Sequence, residues 1–431
     1  MPNNPDFQLN DKRVINAWAF FDWANSAFAL VITAAIFPAY FVAVTDDVVQ
    51  VMGIEMHNSS LYAFAISAAY LLIALFSPLL SGIADYGGRR KFFLKFFTIL
   101  GSAACLALYF FKGMDQLALG TTAFILAMVG FAGGLVFYNA FLPVIVSEEL
   151  YDRVSARGFS FGYIGSVILL VVNLLMIQYS DKLGFPDKGA ATRFAFLAVG
   201  LWWIGFALIP FRLLPSDARQ KATPELLSRG FLELKKVWKA VRGEHNIRSF
   251  LLSFFAYSAG VQTVLFLAAT FAEKELEFGT SELILIVLIL QVVAIAGAVA
   301  ASRLSEWKGN KFSLAVLLII WISICLSGYL VHDKGQFYII AAAVGLVMGG
   351  IQSMSRSTYS KLIPEGTHDP TSFFSFYDVL EKSAIILGTF IFGFIDQLTG
   401  SMRLSLLVLG VFFIIGLLLL MRVRVQHAGK G

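Results

Sequence analysis

Apolar stretches of about twenty residues recur along the whole chain, separated by short polar breaks. They fall at approximately 16–43, 61–83, 92–111, 118–146, 158–179, 193–211, 249–271, 282–302, 312–331, 337–360, 373–396 and 404–421. At 1.5 Å of rise per residue, each is long enough as a helix to cross a hydrocarbon layer of ~30 Å. The pattern predicts an all-α membrane protein with twelve transmembrane helices.

The longest polar break, 212–248, divides the twelve stretches into two sets of six. The chain therefore reads as a six-helix bundle over 1–211, a linker over 212–248 and a second six-helix bundle over 249–431. Within the linker, Leu227, Phe231, Leu234, Trp238 and Val241 recur at spacings of four and three, opposite Lys235, Lys236, Lys239 and Arg242. That is the pattern of an amphipathic helix lying on a membrane surface.

Composition agrees with the pattern. Hydrophobic residues are 58% of 431 positions and charged residues 14%, against roughly 25% charged in a soluble globular chain. Positive charge is retained on the cytoplasmic face. With the N-terminus inside, the cytoplasmic segments and their adjoining helix ends hold 25 of the 33 Lys and Arg, the outer segments 7, and Lys382 lies within a helix. Both termini are then cytoplasmic, as an even helix number requires, and the expected location is a bacterial inner membrane. The net charge of +5 is thereby a topology signal, not a nucleic-acid footprint. Cys105 and Cys325 lie in separate apolar stretches and read as reduced core residues.

The two halves resemble each other, as expected of a duplicated six-helix unit. After the second stretch stands Gly82-Ile-Ala-Asp85-Tyr-Gly-Gly88-Arg89-Arg90, and after the eighth Glu306-Trp-Lys-Gly309-Asn-Lys311, with acid, glycine and base in the same order. The fourth and tenth stretches carry the small-xxx-small pairs Gly130/Gly134 and Gly345/Gly349, and the fifth and eleventh open with Phe-Ser-Phe. The loop from Gly82 to Lys91 resembles the signature between the second and third helices of the major facilitator superfamily. Its glycines permit a tight turn, Asp85 can cap a neighbouring helix, and Arg89 and Arg90 can pair with acids across the interface of the halves. Gly82, Asp85, Gly88, Arg89 and Arg90, with Glu306, Gly309 and Lys311, are the candidate conformational latch. Because Arg303 and Asn310 replace the glycine and the arginine of the first copy, the second copy is expected to latch less tightly.

Ionisable groups inside a bilayer cost at least ~2.5–3.5 kcal/mol each and face cavities or one another. Here they are Asp22 in the first stretch, Arg356 near the end of the tenth, and Asp378, Glu381 and Lys382 in the eleventh. Asp378 and Lys382, four apart, share a helix face. The five form a candidate charge network; desolvation of an unpartnered carboxylate favours its neutral form, which is how a membrane acid carries a proton. Neutral polar residues mark the midplane: Asn25, Ser26, Tyr138, Asn139, Gln262, Gln291, Gln352 and Ser355. Helices one, four, seven and ten are equivalent in a doubled three-helix arrangement, so polar groups in all four point to a shared lumen.

Soluble chemistry is poorly supported. Gly158-Phe-Ser160-Phe-Gly162 matches a nucleophile elbow in letters, but that motif needs a strand before it and here opens an apolar helix. The five histidines fall in loops or termini without metal-ligand spacing. Neither an ATP site nor a cofactor is expected.

Three stretches carry a closer resemblance: Trp18-Ala-Phe-Phe-Asp22-Trp23-Ala-Asn25-Ser26-Ala-Phe28, Tyr138-Asn139-Ala-Phe-Leu-Pro143, and Gly349-Gly350-Ile-Gln352-Ser-Met-Ser355-Arg356-Ser357 together with Phe376-Tyr377-Asp378. They resemble bacterial members of the autophagy-related vacuolar effluxer branch of the major facilitator superfamily, over nearly the whole chain. The resemblance implies two six-helix halves that rock about a central site, giving alternating access without ATP, and efflux of amino acids or small peptides. Asn25, Ser26, Tyr138, Asn139, Gln262, Gln352, Ser355, Arg356 and Tyr377 are then the candidate substrate contacts, and Asp22, Asp378 and Glu381 the candidate coupling carboxylates, with protons as the coupling ion. Arg356 and Lys382 would compensate their charge or meet a substrate carboxylate. The expected partners are a small solute, protons and membrane lipid, and the expected state is a monomer. Two rival readings are an exporter of lipophilic drugs or lipids, suggested by the 42 phenylalanines, and a non-transporting membrane sensor acting through the linker helix.

Overall fold

A computed structural model of the chain describes residues 8–51, 53–216, 226–364, 370–399 and 401–424. Asp217 of the linker, His368 and His427 lie outside the described residues. Long helices occupy all twelve predicted stretches. The first is continuous from Lys12 to Val44: α1 (Lys12–Ala27), a π-helical stretch (Phe28–Ile36) and α2 (Phe37–Val44). There follow α3 (Asn58–Gly87), α4 (Arg90–Leu108), α5 (Leu117–Asn139), the short α6 (Leu142–Ile145), α7 (Tyr151–Gln178) and α8 (Lys188–Leu213). After the linker helix α9 (Leu226–Gly243) come α10 (His245–Leu276), α11 (Thr280–Lys308), α12 (Asn310–Leu330), α13 (Lys334–Leu362), α14 (Pro370–Thr399) and α15 (Met402–Met421). Among the described residues, ten helices are long and apolar enough to cross a membrane; the other two predicted stretches coincide with α10 and α14.

Helix starts follow local chemistry. Asp11 accepts from the Arg13 amide at 2.8 Å, Asp187 from Ala190 at 2.6 Å and Asp333 from Gln336 at 2.9 Å, each satisfying a backbone donor that the first turn leaves open. The break between the first two stretches holds a two-stranded antiparallel hairpin, β1 (Val48–Val51) and β2 (Ile54–His57), with Val51 opposite Ile54 and Gly53 at φ +81°. β-branched residues and a glycine able to adopt positive φ suit a tight hairpin. The π-helical stretch was not legible either. π turns occur mostly singly and at functional sites; this one runs nine residues and follows directly on Asp22, Asn25 and Ser26.

The chain forms two compact units. The first comprises residues 1–141 and 161–230, the second 142–160 and 231–431. The boundary thus falls inside α7: residues 151–160, which helix number alone assigns to the first half, pack with the second unit. In the first unit α4 and α5 approach so closely that a methyl group on Gly130 would collide with the backbone of Gly101. In the second, Gly345 and Gly349 of α13 lie on the carbonyls of Leu290 and Ala294 of α11. Outward faces remain apolar, with Phe64, Leu75, Ile339 and Phe390 largely exposed, as lipid-facing surfaces are.

Candidate substrate and coupling site

In the first unit the site is built on α1 and the end of α5. The Trp18 indole N–H donates to the Tyr138 carbonyl at 3.0 Å, and its ring stacks on the Tyr138 ring at 4.5 Å. Phe21 covers the same ring at 4.8 Å. Held this way, the Tyr138 hydroxyl donates to Asp22 Oδ2 at 2.7 Å, and Asp22 is buried. One turn on, Asn25 is fully buried and neither atom of its amide has a hydrogen-bond partner among the described residues. Native structures rarely leave buried amides so. Ser26 is half-buried against Gly162 of α7, which has no side chain to hold it off. Asn139, half-buried, ends α5.

In the second unit α14 carries the charges. Lys382 Nζ lies 3.2 Å from Asp378 Oδ1 and 3.1 Å from Glu381 Oε2. The four-residue spacing places the first contact; the second comes from a neighbour in sequence. Gln262 of α10 donates to Glu381 Oε1 at 3.2 Å. The cluster is graded in accessibility: Asp378 and Lys382 are buried, whereas the Glu381 side chain is 24% exposed. Asp378 Oδ2 has no partner among the described residues. Ser355 of α13 gives its only proton to the Ile351 carbonyl at 2.6 Å, so Tyr257 of α10 is the donor in the 2.7 Å contact between their hydroxyls. Tyr377 stacks between Phe254 at 4.0 Å and Tyr359 at 5.2 Å. Gln352 is half-buried on α13. With two carboxylates, one ammonium, an amide and hydroxyls, the cluster can exchange a proton or hold a charged solute group.

Arg356 bonds to the start of α7. Its Nε donates to Ser155 Oγ at 2.9 Å and an Nη to the Ser155 carbonyl at 2.8 Å, with the guanidinium over the Phe159 ring at 4.2 Å. Ser155 in turn donates to the Ser353 carbonyl. Arg356 thereby ties the first turns of α7 to α13.

Those turns carry a second and denser group of contacts. Asp152 accepts from Ser305 Oγ, Asn310 Nδ2 and Lys361 Nζ, each at 2.7 Å, and is 3% exposed. Arg153 meets Glu306 through two hydrogen bonds, at 3.1 and 3.2 Å. The second signature loop is thus firmly bonded, and Asn310 makes one of its contacts. Gly309 takes positive φ at the turn, and Lys311 donates to the Met421 carbonyl at 2.6 Å. In the first loop Gly88 takes φ +59°, Arg90 lies 3.4 Å from buried Asp85, and Arg89 is half-buried beside them. Gly82 lies buried on the preceding turn. Sequence reading missed Asp152, Arg153, Ser155, Lys361 and Tyr257. The available signal was the run Glu148-Glu149-Leu-Tyr-Asp152-Arg153 at the mouth of an apolar helix, more charge than a connecting turn needs.

A family model described as "Vacuole effluxer Atg22 like" matches residues 10–430. The chain belongs to this family. The chain is 31% identical over 407 residues to the uncharacterised MFS-type transporter YxiO of Bacillus subtilis (strain 168), covering 94% of this chain and 93% of that one. It is 26% identical to autophagy-related protein 22 of Saccharomyces cerevisiae (strain ATCC 204508 / S288c), over 82% of this chain and 75% of the yeast protein. Its fold matches the human organic anion transporter MFSD10 (TETRAN) with a TM-score of 0.73 at 13% identity, covering 96% and 100% of the two chains. The fucose:proton symporter FucP in the outward conformation matches with a TM-score of 0.70 at 14% identity, covering 96% and 98%. The chain has the major facilitator fold and is a multi-pass membrane transporter of that type, not an enzyme.

Proposed function

We propose that this protein exports a small polar or zwitterionic solute, an amino acid or short peptide, by alternating access driven by protons, from a bacterial inner membrane with both termini in the cytoplasm. The observation that carries the reading is the α14 cluster: two carboxylates share one lysine, and one of them, Glu381, is open enough to meet a solute. A proton taken by Asp378 or Glu381 leaves Lys382 balanced by the other; a solute ammonium arriving at Glu381 does the same. Either event changes the charge of a buried group by one unit, which a low-dielectric interior resists. In the second unit Gln262, Gln352 and Ser355 offer the solute hydrogen bonds; in the first unit Asn25, with both amide atoms unpartnered in a buried position, offers a donor and an acceptor, as do Asp22 and Tyr138. The contacts of Asp152, Arg153 and Ser155, at the start of α7, with α11, α12 and α13 are the ones that break and re-form during the cycle.

The test begins with purified protein and a panel of amino acids, dipeptides, bile salts and lipophilic cations, read as thermal stabilisation at two pH values, since a ligand of the folded state raises its stability by mass action. Stabilisation by an amino acid or dipeptide supports the reading and names the solute to load into vesicles. There, Asp378→Asn and Asp22→Asn are expected to abolish gradient-driven transport at unchanged expression. Full activity in both variants, or stabilisation by amphiphiles alone, overturns it.

A further inference from the structure

The linker helix α9 is fixed to the second unit more firmly than a connector requires. A single residue, Glu244, separates it from α10; the Glu244 amide donates to the Ala240 carbonyl at 2.8 Å, and Arg248 donates to the Arg242 carbonyl at 3.2 Å. Val237 and Val241 are buried. The opposite face presents Lys235, Lys236, Lys239 and Arg242, all exposed, with no acid between 235 and 243. Trp238, at the edge between the two faces, is 48% exposed, and its ring stacks on Phe376 at 5.4 Å. The same end of the unit carries Arg424, whose amide donates to Asn246 at 3.0 Å and whose side chain is exposed.

We infer that the basic face of α9 binds the headgroups of anionic phospholipids, and that this contact sets the position of the first turns of α14. The occupant follows from placement and charge. A helix one residue from the start of a membrane-crossing helix holds its cations at the headgroup level, where anionic lipid concentrates counter-charge within a Debye length of ~10 Å. A half-exposed tryptophan beside lysines is the side chain that interfaces favour. The consequence runs through Phe376. It precedes Tyr377 and Asp378 in α14, and Glu381 lies about 8 Å further along the axis at 1.5 Å per residue. A lipid that holds α9 in place presses Trp238 on Phe376 and so steadies the turn that carries the carboxylates. The site is independent of which solute is carried.

The full-length chain is placed in nanodiscs containing brominated phosphatidylglycerol or brominated phosphatidylcholine, and tryptophan quenching is compared with that of Trp238→Phe, which isolates this ring from the other six. Trp238 emission is expected to be quenched several-fold more by the anionic lipid. That preference is expected to vanish when Lys235, Lys236, Lys239 and Arg242 are all changed to Gln, and to shrink at 0.5 M salt. Equal quenching by both lipids, or none by either, overturns lipid binding. Hydrogen exchange of 374–382 tests the second half: slower exchange in anionic discs, lost in the four-Gln chain, is expected, and equal exchange of the unaltered chain in both lipids overturns the coupling to α14.

Discussion

The two units carry corresponding sequence features and put them to different use. In the first, the buried acid Asp22 is held by a neutral hydroxyl, Tyr138, itself clamped between Trp18 and Phe21. In the second, two acids share a buried cation, Lys382. The glycine pairs diverge as well: Gly130 meets α4, its neighbour in sequence, while Gly345 and Gly349 meet α11, two helices back. The signature loops differ most. In the first, Arg90 lies against Asp85; in the second, Glu306 and Asn310 bond to Arg153 and Asp152 at the start of α7. Duplicated sequence therefore preserves which residues can bond but not what they bond to.

Variants that remove one partner at a time test that contrast. The largest effect is expected from Asp152→Ala, which leaves the mostly buried Lys361 ammonium without its carboxylate and should cost ~3–5 kcal/mol, read as a lower unfolding temperature in detergent. Lys382→Met should cost about as much by stranding Asp378 and Glu381, and Asp378→Asn added to it should restore part of the loss; no recovery in the double variant would show that the lysine packs without pairing. Tyr138→Phe, which deletes a hydrogen bond to a carboxylate, is expected to cost ~1.5–3 kcal/mol. If it costs more than Lys382→Met, the ranking of the units is reversed. Arg153→Ala should lie below ~1 kcal/mol, because its pair with Glu306 is solvent-exposed. The smallest expected change in stability is that of Asn25→Leu: an amide with no partner loses nothing on replacement by an apolar side chain, so melting should be unchanged or higher while transport is lost. A large drop in melting temperature would place Asn25 among the structural residues.

What was legible in the candidate site is local. The Asp378–Lys382 contact follows from a four-residue helical spacing, and the cost of charge in lipid marked Asp22 and Glu381 before any coordinates. Arg356 illustrates the opposite case. Its position in an apolar helix announced a partner, and the expected partners were carboxylates or a solute; its observed contacts with Ser155 depend on how α7 enters the bundle, which no pattern in α13 records. Asp152 escaped notice for the same reason: at the head of a helix, an acid reads as a favourable terminus, and only the packing of α11, α12 and α13 around it turns it into an acceptor for three donors.

By itself the sequence determined that this chain crosses a membrane repeatedly as helices, which stretches form them and which charges they carry inside. Periodicity, length and the expense of burying charge are properties of short segments, and they survive whatever the segments pack against. Tertiary structure alone decided that residues 142–160 join the second unit, that the first membrane helix winds as a π-helix from Phe28 to Ile36, that Gly345 meets α11, and that Asp152 is a shared acceptor. Each depends on two segments far apart in the chain meeting at a particular height and rotation, and that is fixed only when all the helices compete for the same neighbours.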